Sequence, residues 1–245
     1  MLARKNVKPR PTRERTRKIL DALEAAHPEA RCALRYRDAF ELSVATILSA
    51  QCTDERVNAV TPQLFAKYPD AGSLAHAPLA DVEETIRSTG FFRAKAKSIT
   101  GFARGLVEAH GGQVPRTMAE LVPLPGVGRK TANVVLGHAY DVQEGIAVDT
   151  HVLRVSNRLG LAEGDDPLKI EQQLMSLVPR ERWTRTTDLV IFHGRKVCDS
   201  RHPRCGVCPV FALCAWESRE AWASGEAKPT RSTHPPRRTA RRPRA

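Results

Sequence analysis

Four of the six cysteines fall within seventeen positions, as Cys198-x6-Cys205-x2-Cys208-x5-Cys214. Four thiolates on one short loop can wrap a metal centre with little loss of chain-closure entropy, and soft sulfur ligands select zinc or iron and sulfur. Both a tetrahedral zinc and an iron-sulfur cubane fit. A zinc ribbon pairs two distant Cys-x2-Cys knuckles, whereas three unequal gaps within one loop favour the cubane. Disulfides are disfavoured, because a 245-residue chain has core enough without staples. Cys32 and Cys52 stand apart in helical surroundings and are expected to be small buried hydrophobes.

Helical periodicity dominates the rest. In Arg93 to His110 the apolar residues Ile99, Phe102, Ala103, Leu106 and Val107 recur at i, i+3, i+4, i+7 and i+8, and Gly111-Gly112 supplies a stop. Weaker signatures predict helices over Glu14–Ala26, Phe40–Ala50, Asp54–Lys67, Leu79–Ser88, Lys130–Ala139, Thr150–Leu159, Pro167–Leu177 and Thr186–Arg195. Thr117-Met-Ala-Glu120 reads as a capping box opening a short helix that Pro123 must end. Gly145-Ile-Ala-Val148 alone suggests an extended piece, too short to found a sheet. The expected fold class is all-α.

Net charge is +12, but its distribution matters more. Residues 1–18 carry +7 and residues 224–245 carry +6, leaving the middle at −1. A polyanionic partner follows from the total, and any nucleic-acid surface on the folded part must come from placement of charge. The tails, 1–13 and 224–245, are expected to be disordered basic arms that raise non-specific affinity for a polyanion. No stretch approaches the roughly 20 apolar residues of a membrane span, and a bacterial cytoplasmic, nucleoid-associated monomer is the expectation. Beside the cysteines, Arg195, Lys196, Arg201, His202 and Arg204 are candidate phosphate contacts, Arg201 and Arg204 foremost.

Leu121-Val-Pro-Leu-Pro-Gly126-Val-Gly128-Arg129-Lys130-Thr-Ala132 puts two glycines and two prolines in a turn that opens onto a helix. The glycines allow positive φ and close backbone approach, and the first N–H groups of the helix have no internal partner, so the segment is an anion seat. A nucleotide-binding P-loop is excluded: one residue separates the glycines, Arg129 intervenes before the lysine, and no strand precedes.

This stretch resembles the helix-hairpin-helix of the DNA glycosylase superfamily, and the cysteine spacing resembles the iron-sulfur loop of its endonuclease III branch. The likeness runs over about residues 14 to 217, with Leu48-Ser-Ala-Gln51-Cys52-Thr-Asp54 and Val148-Asp149-Thr-His151-Val152 in the family's order. It implies two helical lobes with the active cleft between them. One is a six-helix barrel over 32–143; the other joins 14–31 to 144–223 and holds a 4Fe-4S cluster on the four cysteines. It further implies a glycosylase and abasic-site lyase acting on double-stranded DNA that contains oxidised or ring-saturated pyrimidines or abasic sites. Lys130 would be the nucleophile, its amine kept neutral by partial burial and by Arg129. Asp149 would be the second catalytic group, although it also suits a helix N-cap. Gln51 and Phe91 would fill the gap left by a flipped nucleotide, with Phe91 equally able to be a core residue. Gly126, Gly128, Arg129 and His151 would touch the DNA. A mismatch-adenine glycosylase is the enzymatic alternative, but that branch lacks the hairpin lysine and has a carboxylate in the helix before its Gln motif. Val44–Ser49 has none. A non-catalytic DNA tether would need neither Lys130 nor Asp149.

Overall fold

The structure is a computed structural model that describes residues 10–227; most of the two expected basic arms lies outside the described residues. Within them the chain is helical, with no strand, as the periodicity predicts. Twelve α-helices follow in order: α1 Arg13–Ala26, α2 Ala39–Leu48, α3 Asp54–Lys67, α4 Ala71–Ala75, α5 Leu79–Thr85, α6 Phe92–His110, α7 Met118–Leu121, α8 Arg129–Tyr140, α9 Thr150–Leu159, α10 Pro167–Leu177, α11 Trp183–Lys196 and α12 Arg219–Ala223. Their starts are written locally. Thr12, Asp38, Thr53, Thr117, Asp149 and Asp166 each accept a hydrogen bond from a first-turn amide of the helix they precede.

Several expectations need correction at the edges. The N-terminal arm stops earlier than expected, since Thr12 caps a helix that begins at Arg13. The helix over 40–50 ends at Leu48 and that over 79–88 at Thr85, because Ser49–Cys52 and Arg87–Thr89 turn more tightly. The helix expected from Thr186 begins at Trp183. Two short helices escape the periodicity altogether. One is α4, opened by an Asp70/Ser73 capping box, and the other is α12. Helices this short show too few turns to reveal a period.

The buried apolar residues form two clusters. The first gathers α2 to α8, from Leu34 to Leu136 with Ala147, and α2 is buried along almost its whole surface at its centre. The second gathers α1, α9, α10 and α11 with Val210 from the cysteine loop. The chain therefore enters the second cluster at α1, leaves it, and returns after α8. Polar pairs cross between elements of the two clusters, among them Asp54 with Arg195 at 2.7 Å, Arg129 with Glu171 at 2.7 Å and His138 with Asp188 at 3.0 Å.

Candidate active site and metal-binding loop

The hairpin between α7 and α8 lies against α6, whose Gly101 and Gly105 leave room for Pro125 and Leu124 to pack on the helix backbone. Gly126 takes φ +78°, and a Cβ there would press on Ser98 and Ile47, so glycine is required twice over. Gly128 serves differently. It is the N-cap of α8 with extended backbone, open space stands where a Cβ would be, and no side chain caps the helix. The first helical bond is donated by Ala132 to the Gly128 carbonyl, so the preceding amides face outward, and the expected anion seat exists as geometry.

Lys130, in the first turn of α8, and Asp149, the N-cap of α9, both line one cleft of about 1010 Å³ between elements of the two clusters. Asp149 Oδ1 accepts from the amides of His151 and Val152 at 2.8 Å, and its Oδ2 meets His151 Nδ1 at 3.0 Å. Burial pushes the Asp149 carboxyl up, but the His151 hydrogen bond, the Val152 amide and the charges of His151 and Lys130 outweigh it, leaving the group below the ordinary carboxylate range. The N-cap role and the cleft position therefore coexist in one side chain. His151 is held beside Asp149 rather than extended toward solvent.

The expected surroundings of Lys130 are corrected on two counts. Lys130 is exposed rather than partly buried. Arg129 turns away from it: Nε and Nη2 donate to Glu171 at 2.7 and 3.0 Å, and Asn133 donates to the same carboxylate at 2.8 Å. Arg129 is thus paired with a buried acid of α10, although its side chain stays 41% exposed. Glu171 is 42 residues away along the chain, so nothing local announces the pair.

Gln51 and Phe91 lie outside the cleft lining and share an unusual backbone. With Asp141 they are the non-glycine residues at positive φ among the described residues, at +52° and +47°. Such strain persists where the surrounding structure over-determines it. The Phe pair divides cleanly: Phe91 is 68% exposed, while Phe92 packs against the first cluster. The core alternative expected for the pair therefore holds for Phe92 alone. Beneath them lies Lys95, unremarked in the sequence, buried and donating from Nζ to the Thr89 carbonyl at 2.8 Å. Its burial pushes the ammonium down, while the neighbouring Cys52 opposes that shift. Lys95 therefore fastens the start of α6 to the turn that precedes Phe91. Cys32 and Cys52 are corrected too: both sit in loops rather than helices and are half-buried, and Cys32 lines the cleft, where burial pushes its thiol up to about 11.

Cys198, Cys205, Cys208 and Cys214 line one small pocket with Leu159, Phe211 and Trp216. The basic residues that organise this loop come from elsewhere in the chain. Arg158 donates to Cys198 Sγ at 3.4 Å and to the Asp199 carbonyl at 2.6 Å while stacking on Trp216; Arg154 donates to the Gly194 and Cys198 carbonyls; Arg15 reaches the Leu213 carbonyl at 2.5 Å. Of the loop's own cations, Arg195 pairs with Asp54 of α3 while its side chain stays exposed. Arg201 and Arg204 stay exposed, their turn held by Asp199, which accepts from the Arg201 and His202 amides at 2.8 Å. The buried His193 places Nε2 3.7 Å from Cys208 Sγ and Nδ1 3.1 Å from His27. Among the described residues no three His, Cys, Asp or Glu side chains converge closely enough to grip a single metal ion, and no helix is long and apolar enough to cross a membrane.

Comparison with known proteins is consistent over most of the chain. Residues 44–180 match the model of the HhH-GPD superfamily of base excision DNA repair proteins. The chain is similar to endonuclease III of Synechocystis sp., with 53% identity covering 82% of this chain and 92% of the relative, and to endonuclease III of Bacillus subtilis, with 48% identity covering 80% and 89%. In three dimensions it resembles a trapped endonuclease III–DNA covalent intermediate, with a TM-score of 0.81 and 44% identity over 85% of this chain and 97% of that one. A non-covalent endonuclease III–DNA complex matches equally well. On this sequence and fold evidence the chain belongs to the endonuclease III family of helix-hairpin-helix DNA glycosylases.

Proposed function

We propose that Lys130 is the nucleophile of this base excision DNA glycosylase and abasic-site lyase, and that Asp149 is its carboxylate partner. The observation that carries the assignment is the cleft itself, which collects an exposed primary amine from the first turn of one helix and an ionised carboxylate from the N-cap of another. Asp149 can relay a proton from the Lys130 ammonium to solvent and, ionised again, offset positive charge growing on the sugar as the base departs. The neutral Nζ bonds to C1′, and the glycosidic C–N bond breaks with its electron pair going to the base. Opening of the sugar ring yields an imine. That imine acidifies the C2′ proton, whose removal expels the 3′ phosphate and cleaves the strand 3′ to the abasic site. A solved relative was captured as a trapped covalent DNA intermediate, which supports this chemistry.

The DNA face follows from the same geometry. The open amides of the first turn of α8, behind the Gly126–Gly128 turn, would receive a phosphate, with His151, Arg201 and Arg204 as further contacts, and Gln51 and Phe91 enter the duplex where the target nucleotide leaves it. The substrate class is oxidised or ring-saturated pyrimidines. The two apolar clusters correspond to the barrel lobe and the cluster lobe. The four cysteines suit a cubane through their three unequal gaps within one loop, they line one small pocket, and Arg158 supplies an N–H donor of the kind that thiolate ligands accept. Burial and the neighbouring thiols push Cys205 and Cys208 up to about 11, so only a positive metal centre would hold them as thiolates. Cys198, Cys205, Cys208 and Cys214 would hold the cluster, which when bound would brace the loop that presents Arg201 and Arg204.

The test is incubation with duplexes bearing thymine glycol or an abasic site in the presence of borohydride, wild type beside Lys130→Gln, with iron and sulfide measured on the same preparations. The expected result is a covalent adduct with wild type and none with the variant, both retaining iron. Undiminished nicking by Lys130→Gln overturns the nucleophile, and iron-free wild type overturns the cofactor.

A further inference from the structure

Lys130, Val134 and His138 lie at i, i+4 and i+8 on α8 and line the same cleft. His138 sits at the floor, where its two ring nitrogens meet different partners. Nδ1 is 3.0 Å from the Val134 carbonyl, and Nε2 is 3.0 and 3.2 Å from the two oxygens of Asp188 on α11. A carbonyl and a carboxylate only accept hydrogen bonds. Both bonds can form together only if both nitrogens carry protons, which makes the ring an imidazolium. The two side chains are 11% and 12% exposed, so the pair is largely screened from water.

The position of this pair gives it leverage. Its first member belongs to α8, which carries Lys130; its second belongs to α11. That helix packs closely on α9: a Cβ on Gly194 would press against Val155, Arg154 and His151. Asp149 caps α9. A fixed link from α8 to α11 therefore fixes Lys130 relative to Asp149, although neither residue touches the link. We infer that the His138–Asp188 pair is a charged positioning clamp that holds the Lys130 helix at its working distance from Asp149 across the cleft, and that its charge makes Schiff-base formation pH-dependent on the alkaline side.

The other titratable groups around the clamp leave that charge to His138. Tyr36 donates to the His138 carbonyl at 3.5 Å, and burial pushes its phenol up, so it stays neutral. Cys32 across the cleft is likewise held neutral. Arg185, one turn before Asp188 on α11, is bound to Glu24. For His138, burial pushes the ring down, but the hydrogen bond and charge of Asp188 and the Val134 carbonyl carry it above the ordinary histidine value. The clamp is therefore complete below the ordinary value near 6.5 and is lost as pH rises through the raised one.

Because the inference rests on the proposed role of Lys130, the test separates the two. Long-range 1H–15N correlation on wild-type protein, recorded at pH 6.5, should find both nitrogens of one histidine protonated, with that signal absent from His138→Gln. Borohydride trapping on an abasic duplex should then slow about 10- to 100-fold in Asp188→Asn at pH 6.5, while affinity for undamaged duplex stays within about twofold. The alkaline fall in wild-type trapping rate should vanish in His138→Gln, which donates to Asp188 without titrating. A singly protonated His138 ring at pH 6.5, or identical pH profiles for wild type and His138→Gln, would overturn the clamp. A wild-type protein that forms no adduct at any pH would overturn the role of Lys130 instead, leaving the NMR result to decide the charge.

Discussion

Replacing Glu171 by Ala removes one carboxylate and strands three donors. Glu171 is only 5% exposed and accepts twice from Arg129 and once from Asn133, all at 3.0 Å or less. Breaking a fully buried ion pair costs about 3–5 kcal/mol. Arg129, however, is 41% exposed and can turn to water, which discounts its share toward the value of a surface pair. Asn133 cannot turn out, and its Oδ1 already lacks a partner, so its amide is left unpaired at about 1–3 kcal/mol. The sum is about 2–4 kcal/mol, which in a chain of this size lowers Tm by roughly 5–15 °C. Glu171→Gln should lose less than half of this, since its amide oxygen can accept from Arg129 while its NH2 donates to the orphaned Asn133 oxygen. Freed from its acid, Arg129 should also strengthen binding to undamaged duplex, with a steeper salt dependence. Thermal melts and salt-titrated binding measure both effects. A Tm drop under about 2 °C for Glu171→Ala would place the network among surface ion pairs and refute the argument.

Other outcomes follow from the site. Phe91→Gly should melt at or slightly above the wild-type temperature, because it removes an exposed ring and relieves a positive φ, yet should slow base extrusion followed by 2-aminopurine fluorescence; a loss of about 3–5 kcal/mol would make Phe91 a core residue. Asp149→Ala should cost about 1 kcal/mol for the lost cap and abolish turnover, while Asp149→Asn keeps most of the cap. Because the folded-state carboxyl lies below its ordinary value, its charge-dependent stabilisation is complete above about pH 4 and is lost as pH falls through the depressed value, so acid unfolding of Asp149→Asn should show a shallower pH dependence. Removing residues 1–9 and 228–245 takes away ten Lys and Arg, and should flatten the log-affinity versus log-salt slope without changing the ratio of damaged to undamaged binding.

What the amino-acid string determined by itself was whatever depends on near neighbours: helix periods, the caps at Thr117 and Asp149, the hairpin glycines, and four thiols close enough to share one loop. Lys130 and Asp149 were legible because each sits in a short motif. The bearing of their neighbours was decided only in three dimensions. Arg129 adjoins Lys130 in sequence and looks like its electrostatic partner, but the pull of a buried acid on a different helix turns it away. Arg195 looks like part of the cysteine loop, and instead reaches Asp54. The arginines that truly hold that loop, Arg154 and Arg158, come from α9. Phe91 and Phe92 are the same residue twice in the string, and one left-handed turn sends them in opposite directions. A cation's partner is set by which carboxylate the packing of helices across two cores brings within its reach, and local spacing carries no trace of that.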